Sequence, residues 1–310
     1  MAVKIPVIHV LIPTHNRVES LRRVMEALRG QSYPAVRAYV IDCGSNDGTR
    51  EMLDKEFKGA MALNVINVRE SVWWTEAMNL AVTKVLSGCD DNDFILSMND
   101  DAVFRTADGL SRLVDSQRKM GKSIVIPLCR EQEDGGVISS GCVIDWAYAR
   151  RTGSCYLLAM MGESRWPDHL ELDVLYGRGA LIPAQVFRDI GNYNYKDFPH
   201  YGGDSELSVR ARKAGWRGFV DCGVRVDTVF GTTGGSDILS QGKASLVSAL
   251  VSAFKVIISD RSPYQIRKGF MFIDRCCPKK YRLKNKIAWL STSLKYFNAE
   301  FSKFKGIGYC

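Results

Sequence analysis

Along the first hundred residues, short apolar runs alternate with stretches whose apolar positions recur every three or four residues. Val7 to Ile12 reads as a buried strand. Asn16, with Glu19 three residues on, predicts a helix start of the capping-box type. Leu21, Val24, Met25 and Leu28 then share one helical face, and Gly30 closes it. Ala38 to Cys43 predicts a second strand, followed by the turn-rich Gly44-Ser45-Asn46-Asp47-Gly48 and a short helix around Met52 and Leu53. Asn64 to Val68 predicts a third strand. Met78, Ala81, Val82 and Val85 predict another amphipathic helix, and Phe94 to Met98 a fourth strand. Strands alternating with helices at this spacing imply the α/β class, a mostly parallel central sheet with helices on both faces.

After Asp101 the rhythm changes. Leu110, Leu113 and Val114 suit a helix, and Ser123 to Leu128 a strand. Val137 to Ile144 and Cys155 to Met160 read as β-structure, and Val174 to Ile182 is another apolar run. Asp204 to Ala214 is helical, with Leu207, Ala211 and Ala214 on one face and Gly215 at its end. From about residue 242 the pattern is helical and basic. The expected division is a domain over residues 1–240 and a basic helical extension over 241–310.

The chain has 310 residues, 46% apolar and 25% charged, which excludes disorder and collagen-like structure. No stretch approaches the roughly 20 apolar residues that span a bilayer, and Leu246 to Ile258 is the longest apolar-rich run. The N-terminus lacks the pattern of a signal peptide. Nine cysteines without C-x-x-C spacing, two of them adjacent at Cys276-Cys277, suggest a reducing, cytosolic compartment and give no zinc motif. The formal net charge of +8 is unevenly placed: residues 241–310 hold 14 Lys and Arg against 3 Asp and Glu. Such a tail, interleaved with aromatic and aliphatic residues, suits an acidic lipid surface, a solvated helical cap, or nucleic acid.

Three polar groups follow predicted strand ends: Pro13-Thr14-His15-Asn16-Arg17, Asp42 to Thr49, and Asn99-Asp100-Asp101. In a parallel sheet all three gather at one edge, where ligands bind. Taken singly, Asp42 serves equally as a turn former. A carboxylate pair such as Asp100-Asp101 suits a hard divalent cation neutralising a diphosphate, or an ordinary helix cap. His200-Tyr201-Gly202-Gly203-Asp204 opens a helix, so Asp204 is a candidate general base at a helix N-terminus, or its cap.

These residues together resemble the family 2 inverting glycosyltransferases of GT-A fold, over roughly residues 6 to 230. The resemblance rests on Ile12-Pro13-Thr14-His15-Asn16-Arg17 and, about 25 residues later, Ile41 to Thr49. It implies that Pro13, Thr14, Asn16, Arg17, Asp42 and Ser45 hold the nucleoside of a nucleotide-sugar. Asn99-Asp100-Asp101 matches the metal-binding D-x-D segment with its first position changed to Asn, which makes Asp101 the metal ligand and Asp100 a donor-side residue. Gly203-Asp204 matches the family's Glu-Asp pair, whose aspartate is the catalytic base. The neighbouring Glu is missing here, and Glu206, two residues on, becomes the acceptor-side candidate. Asp227 stands where the family often has a metal-facing His. Trp73-Trp74 resembles a segment of bacterial rhamnosyltransferase-like members, with Trp74 as an aromatic wall. Tyr176-Gly177-Arg178-Gly179-Ala180 resembles the glycine segment beneath the donor sugar, with Arg178 and Gly179 toward the diphosphate.

The resemblance therefore implies a metal-dependent transferase, using Mn²⁺ or Mg²⁺, that moves a sugar from a dTDP- or UDP-linked donor to a saccharide or lipid-linked acceptor. Surface polysaccharide such as O-antigen or capsule is the expected context, with the enzyme peripheral on the cytoplasmic face of the membrane. A non-catalytic nucleotide-sugar-binding protein and a nucleic-acid-binding protein are the alternatives. Sugar, linkage and oligomeric state stay open.

Overall fold

A computed structural model describes residues 4–70, 72–228, 246–260 and 262–303. The first half follows the predicted alternation: β1 (Ile8–Thr14), α1 (Val18–Arg29), β2 (Val36–Asp42), α2 (Thr49–Glu56), β3 (Leu63–Asn67), α3 (Trp74–Leu86) and β4 (Phe94–Ser97). The chain continues through β5 (Val103–Phe104), α4 (Gly109–Met120), β6 (Ser123–Glu131), β7 (Val137–Ile138), β8 (Gly141–Asp145), β9 (Arg150–Gly153) and α5 (Ser154–Met161). Then come β10 (His169–Leu172), β11 (Val174–Leu175), β12 (Ala180–Pro183), α6 (Ala184–Ile190), α7 (Gly203–Lys213) and β13 (Arg217–Thr228).

The central sheet runs β10-β13-β6-β12-β4-β1-β2-β3, with β5 on β13 and β7 on β6. β1 lies between β2 and β4, parallel to both, and every one of its residues is buried. Strand alternation divides its side chains between two faces. Ile8, Val10 and Ile12 meet Leu21, Val24, Met25 and Leu28 of α1 and Leu110 and Leu113 of α4. Leu11, with Ile41 of β2, meets Ala77, Met78, Ala81 and Val82 of α3 on the other face. The sheet is thus covered on both sides by the apolar stripes read from the sequence. β3 also runs parallel to β2, and β6 parallel to β13. β12 is inserted between β4 and β6, antiparallel to both. A second sheet, β11-β8-β9, stands beside the first.

Three local expectations need correction. Asn16 does not cap α1. It adopts φ 51° and α1 begins at Val18, whose N–H donates to Asp47 Oδ2 at 2.8 Å, so the cap comes from the loop after β2. Cys155 to Met160 is helix α5 rather than β-structure. Its residues are apolar nearly throughout, so they carry no period that separates strand from helix. The run Val174 to Ile182 is divided between the two sheets, with Tyr176 to Gly179 crossing from one to the other.

The basic extension forms α8 (Leu246–Ile258), α9 (Ile266–Cys276) and α10 (Arg282–Lys303). Phe272 and Cys276 of α9 share a small core with Cys142 and Ile144 of β8, Val174, Phe198 and Val209 of α7. The extension therefore packs on the second sheet and α7. The expected boundary at residue 240 lies outside the described residues. No helix among the described residues is long and apolar enough to cross a membrane.

Candidate functional site

The loops after β1, β2 and β4 meet because those strands are adjacent and parallel. Thr14 Oγ1 donates to Asp100 at 2.9 Å, and Arg17 Nη1 donates to Asp100 at 2.7 Å and to Asp101 at 3.4 Å. Asp42, buried at the end of β2, accepts the Ser45 N–H at 2.9 Å. Ser45 Oγ in turn accepts the Asn16 N–H at 3.0 Å, and Asn16 Oδ1 accepts the Asn46 N–H at 2.8 Å. The first polar segment is thereby tied to the second and, through Arg17, to the third. Burial pushes the Asp100 carboxyl up to about 6, against the opposing pull of Arg17.

From Asn99 a second line of contacts leads to the candidate base. Trp74, at the start of α3, donates its indole N–H to Asn99 Oδ1 at 3.1 Å. The Gly177 backbone lies against this indole so closely that a Cβ would stand 2.5 Å from Trp74 Cζ2. The Gly177 N–H points to Asp204 Oδ2 at 3.3 Å, and Asp204 Oδ1 accepts the Ser205 N–H at 2.7 Å. Asp204 is the second residue of α7, as the helix signal required. Burial raises its pKa, while the Ser205 and Gly177 N–H groups and the charge of Arg178 pull the other way. A carboxylate poised in this way is a stronger base than a solvated one.

Asp204 and Trp74 line a cavity of about 810 Å³, together with Asn99, Tyr176, Gly177 and Arg178. Arg178 also reaches the Ser139 carbonyl at 3.5 Å. Gly179 holds φ +90° where a Cβ would meet Pro127 at 2.9 Å, so glycine is required there on both counts. Pro13, Thr14, Arg17, Asp42, Asp100 and Asp101 stand outside the cavity wall, at the sheet edge next to Asn99. The three predicted acidic positions thus form a continuous strip rather than one ring: Asp42 at one end, Asp100-Asp101 in the middle, Asp204 at the other.

Two expected site residues are held by arginines. Glu206 is buried but turned to Arg210, with 3.0 Å and 2.8 Å contacts, and does not line the cavity. Arg210 also caps the end of α6 through the Gly191 and Asn192 carbonyls at 3.1 Å and 3.0 Å. Glu206 is therefore engaged as the ion-pair partner of Arg210. Asp227, buried on β13, is held by Arg225 at 2.6 Å and Arg105 at 3.1 Å. Among the described residues no three His, Cys, Asp or Glu side chains gather as a metal-ligand set. Asp227 is thus engaged by two arginines in this structure.

Sequence reasoning missed the opposite wall, which the extension supplies. Tyr264, Lys268 and Phe272 line it with Trp289 of α10. A Cβ on Gly269 would fall 1.8 Å from Trp289 Nε1, so the missing side chain is what admits the indole. The only signal was a Gly and a Trp inside amphipathic helices, a pattern that core packing explains equally well.

The model of glycosyl transferase family 2 matches residues 9–141. Its match runs from β1 to the start of β8 and so takes in every strand-end cluster of the site. No curated protein sequence matches the chain. Solved structures resemble it as a whole. The mannosyltransferase PcManGT from Pyrobaculum calidifontis, in complex with GDP-Man and Mn²⁺, aligns with TM-score 0.57 at 16% identity, over 98% of this chain and 76% of that one. S. aureus TarS 1-349 in complex with UDP-GlcNAc aligns with TM-score 0.55 at 12% identity, over 98% and 93%. GalNAc-T7 with UDP, GalNAc and Mn²⁺ aligns with TM-score 0.57 at 16% identity, over 94% of this chain and 57% of that one. These likenesses carry the fold alone, a mixed α/β GT-A fold.

Proposed function

We propose that the chain is an inverting glycosyltransferase that moves a sugar from a nucleotide-sugar to an acceptor hydroxyl, with Asp204 as general base. The observation that carries this reading is the strip from Asp42 through Asp100-Asp101 and Asn99 to Trp74, Gly177 and Asp204, which ends in a carboxylate facing a cavity. Pro13 to Arg17, Asp42 and Ser45 hold the nucleoside. Trp74, Arg178 and Gly179 hold the sugar and diphosphate. In the transfer, Asp204 takes the proton of the acceptor hydroxyl as its oxygen bonds the anomeric carbon from the face opposite the leaving group. The bond from that carbon to the diphosphate oxygen breaks, and the nucleoside diphosphate leaves with the electron pair.

The donor set suits a divalent cation. Asp100, Asp101 and the amide oxygen of Asn99 offer oxygen alone, without thiol or imidazole, as Mg²⁺ and Mn²⁺ prefer. Two protein carboxylates are enough when substrate phosphate completes the shell. A bound cation would neutralise the charge that builds on the diphosphate. Arg17, already against both carboxylates, positions them and adds positive charge on the same side. Two of the similar structures hold Mn²⁺ with a nucleotide or nucleotide-sugar, and another holds UDP-GlcNAc. Those ligands support a nucleotide-sugar donor for this chain and leave dTDP, UDP and GDP carriers to be distinguished. The acceptor, a saccharide or lipid-linked hydroxyl as in surface polysaccharide assembly, enters between Asp204 and the wall formed by Tyr264, Phe272 and Trp289.

The test begins with thermal shift against UDP, dTDP and GDP, with and without Mn²⁺. One nucleotide is expected to stabilise the protein selectively, and EDTA to weaken the effect. Donor turnover of Asp204→Asn is then measured with the matching nucleotide-sugar. The variant is expected to lose at least about 10³-fold in turnover, of the order that general-base removal costs, while donor affinity stays within a few-fold. Wild-type turnover in the variant removes Asp204 from the role.

A further inference from the structure

We propose that the outward face of α8 and α10 is a docking surface for an anionic membrane leaflet. On α10, Leu283, Ile287, Leu290 and Leu294 recur at helical spacing, and all four are exposed, Leu283 by 74% and Ile287 by 61%. On α8, Val251, Phe254 and Ile258 form a second exposed stripe, with Ile258 at 64%. The Phe254 ring meets Phe297 edge-on at 5.3 Å, and Phe297 follows Leu294 on the same side of α10, so the stripes adjoin. Scattered apolar residues are ordinary on a surface, but seven on two packed helices make a patch.

The charge around the patch selects its occupant. Lys255, Lys279, Lys280, Lys284 and Lys295 are all exposed on these helices or on the turn that leads into α10. The 70-residue extension holds only 3 acidic residues, Asp260, Asp274 and Glu300. An apolar stripe flanked by lysines is the arrangement that lies in the plane of an anionic bilayer surface, with the apolar side chains among the acyl chains and the ammonium groups at the headgroups. A second copy is a poor fit, because a two-fold contact of this face with itself sets lysine against lysine. The opposite side of α10 carries Trp289 into the cavity. Docking through the exposed stripe therefore sets the acceptor side of the cleft beside the leaflet, which favours a lipid-linked acceptor. That last step rests on the proposed transferase reading, whereas the docking itself needs neither nucleotide nor turnover.

The experiment is vesicle flotation of the full chain with phosphatidylcholine alone and with phosphatidylcholine mixed with phosphatidylglycerol, at low and high salt. The expected result is flotation with the anionic vesicles only, reduced by salt. The double variant Ile287→Asp with Leu294→Asp is expected to bind the anionic vesicles at least about tenfold more weakly, since each change removes an inserted side chain and adds a repelled charge. Lys279→Gln with Lys280→Gln, at exposed positions that the fold tolerates, is expected to weaken binding several-fold. Thermal shift with nucleotide reports that both variants keep the donor site. Absence of wild-type flotation, or equal flotation of wild type and both variants, overturns the proposal. So does a wild-type dimer that Ile287→Asp with Leu294→Asp converts to a monomer, which assigns the face to a second copy.

Discussion

Asp100 sits at the point where burial and ion pairing oppose each other most directly. Its carboxyl titrates near 6 in the folded chain, above the ordinary 3.8, because burial outweighs Arg17. The folded state therefore binds a proton more tightly than the unfolded state. The stabilisation from this group is complete below about pH 3.8 and is lost as the pH rises through about 6. In chelator, the unfolding free energy of wild type minus that of Asp100→Asn is expected to fall by about 1–3 kcal/mol across this window. Urea unfolding at a series of pH values measures it, and a flat difference contradicts the assignment. Asp42, Asp100 and Asp204 were legible in the sequence because strand ends and a helix start place them without help from elsewhere. Glu206 was not, because its partner Arg210 also anchors the end of α6, a contact that a helix pattern alone does not reveal. The same holds for the cap of α1, which comes from Asp47 in another loop.

Most elements of the first half were read to within about two residues, and the clearest misreading is α5. β1 and β2 declared themselves as short apolar runs and α3 through amphipathic spacing, whereas α5, also apolar nearly throughout, reads as β-structure in the sequence. Antiparallel β12 escaped notice because pairing direction leaves little trace in a short buried strand. The crossing segment between β11 and β12 is where element geometry reaches the chemistry. A methyl group on Gly177 would stand 2.5 Å from Trp74 Cζ2 and 3.0 Å from Ser97 Oγ. The indole is expected to move, giving up its bond to Asn99, at a cost of about 1–3 kcal/mol. Gly177→Ala should thus lower the melting temperature and reduce donor turnover at least about tenfold, while the loops after β1 and β2, proposed to hold the nucleoside, keep nucleotide affinity near that of wild type. Thermal unfolding, turnover and nucleotide titration on one preparation separate these effects. A variant with wild-type turnover shows that Trp74 is not needed in its present position.

At the scale of the whole molecule, the composition of the extension was legible and its position was not. Its lysines and helical spacing are local properties, whereas its place over the cavity depends on contacts between distant residues such as Arg151 of β9 and Trp289, whose guanidinium lies 5.3 Å from the indole. Gly269 is the position where that arrangement is most easily tested. Inside a helix, Gly→Ala normally stabilises by about 1 kcal/mol. Here the new Cβ would stand 1.8 Å from Trp289 Nε1, so the indole has to leave its seat, together with its bond to the Gln265 carbonyl and its stacking on Arg151. Displacing a packed indole exceeds the gain in helix propensity, and Gly269→Ala is expected to destabilise the chain by about 1–3 kcal/mol net. Because β1, β2 and β4 lie outside this contact, nucleotide affinity should stay within about twofold, the near-additivity expected of separated sites. A rise in melting temperature would mean that Trp289 accommodates the methyl group and that the wall opposite Asp204 is looser than the packing of α9 on α10 implies. A loss of nucleotide affinity would mean instead that the extension and the strand-end loops act as one unit, which would tie the far wall of the cavity to donor binding.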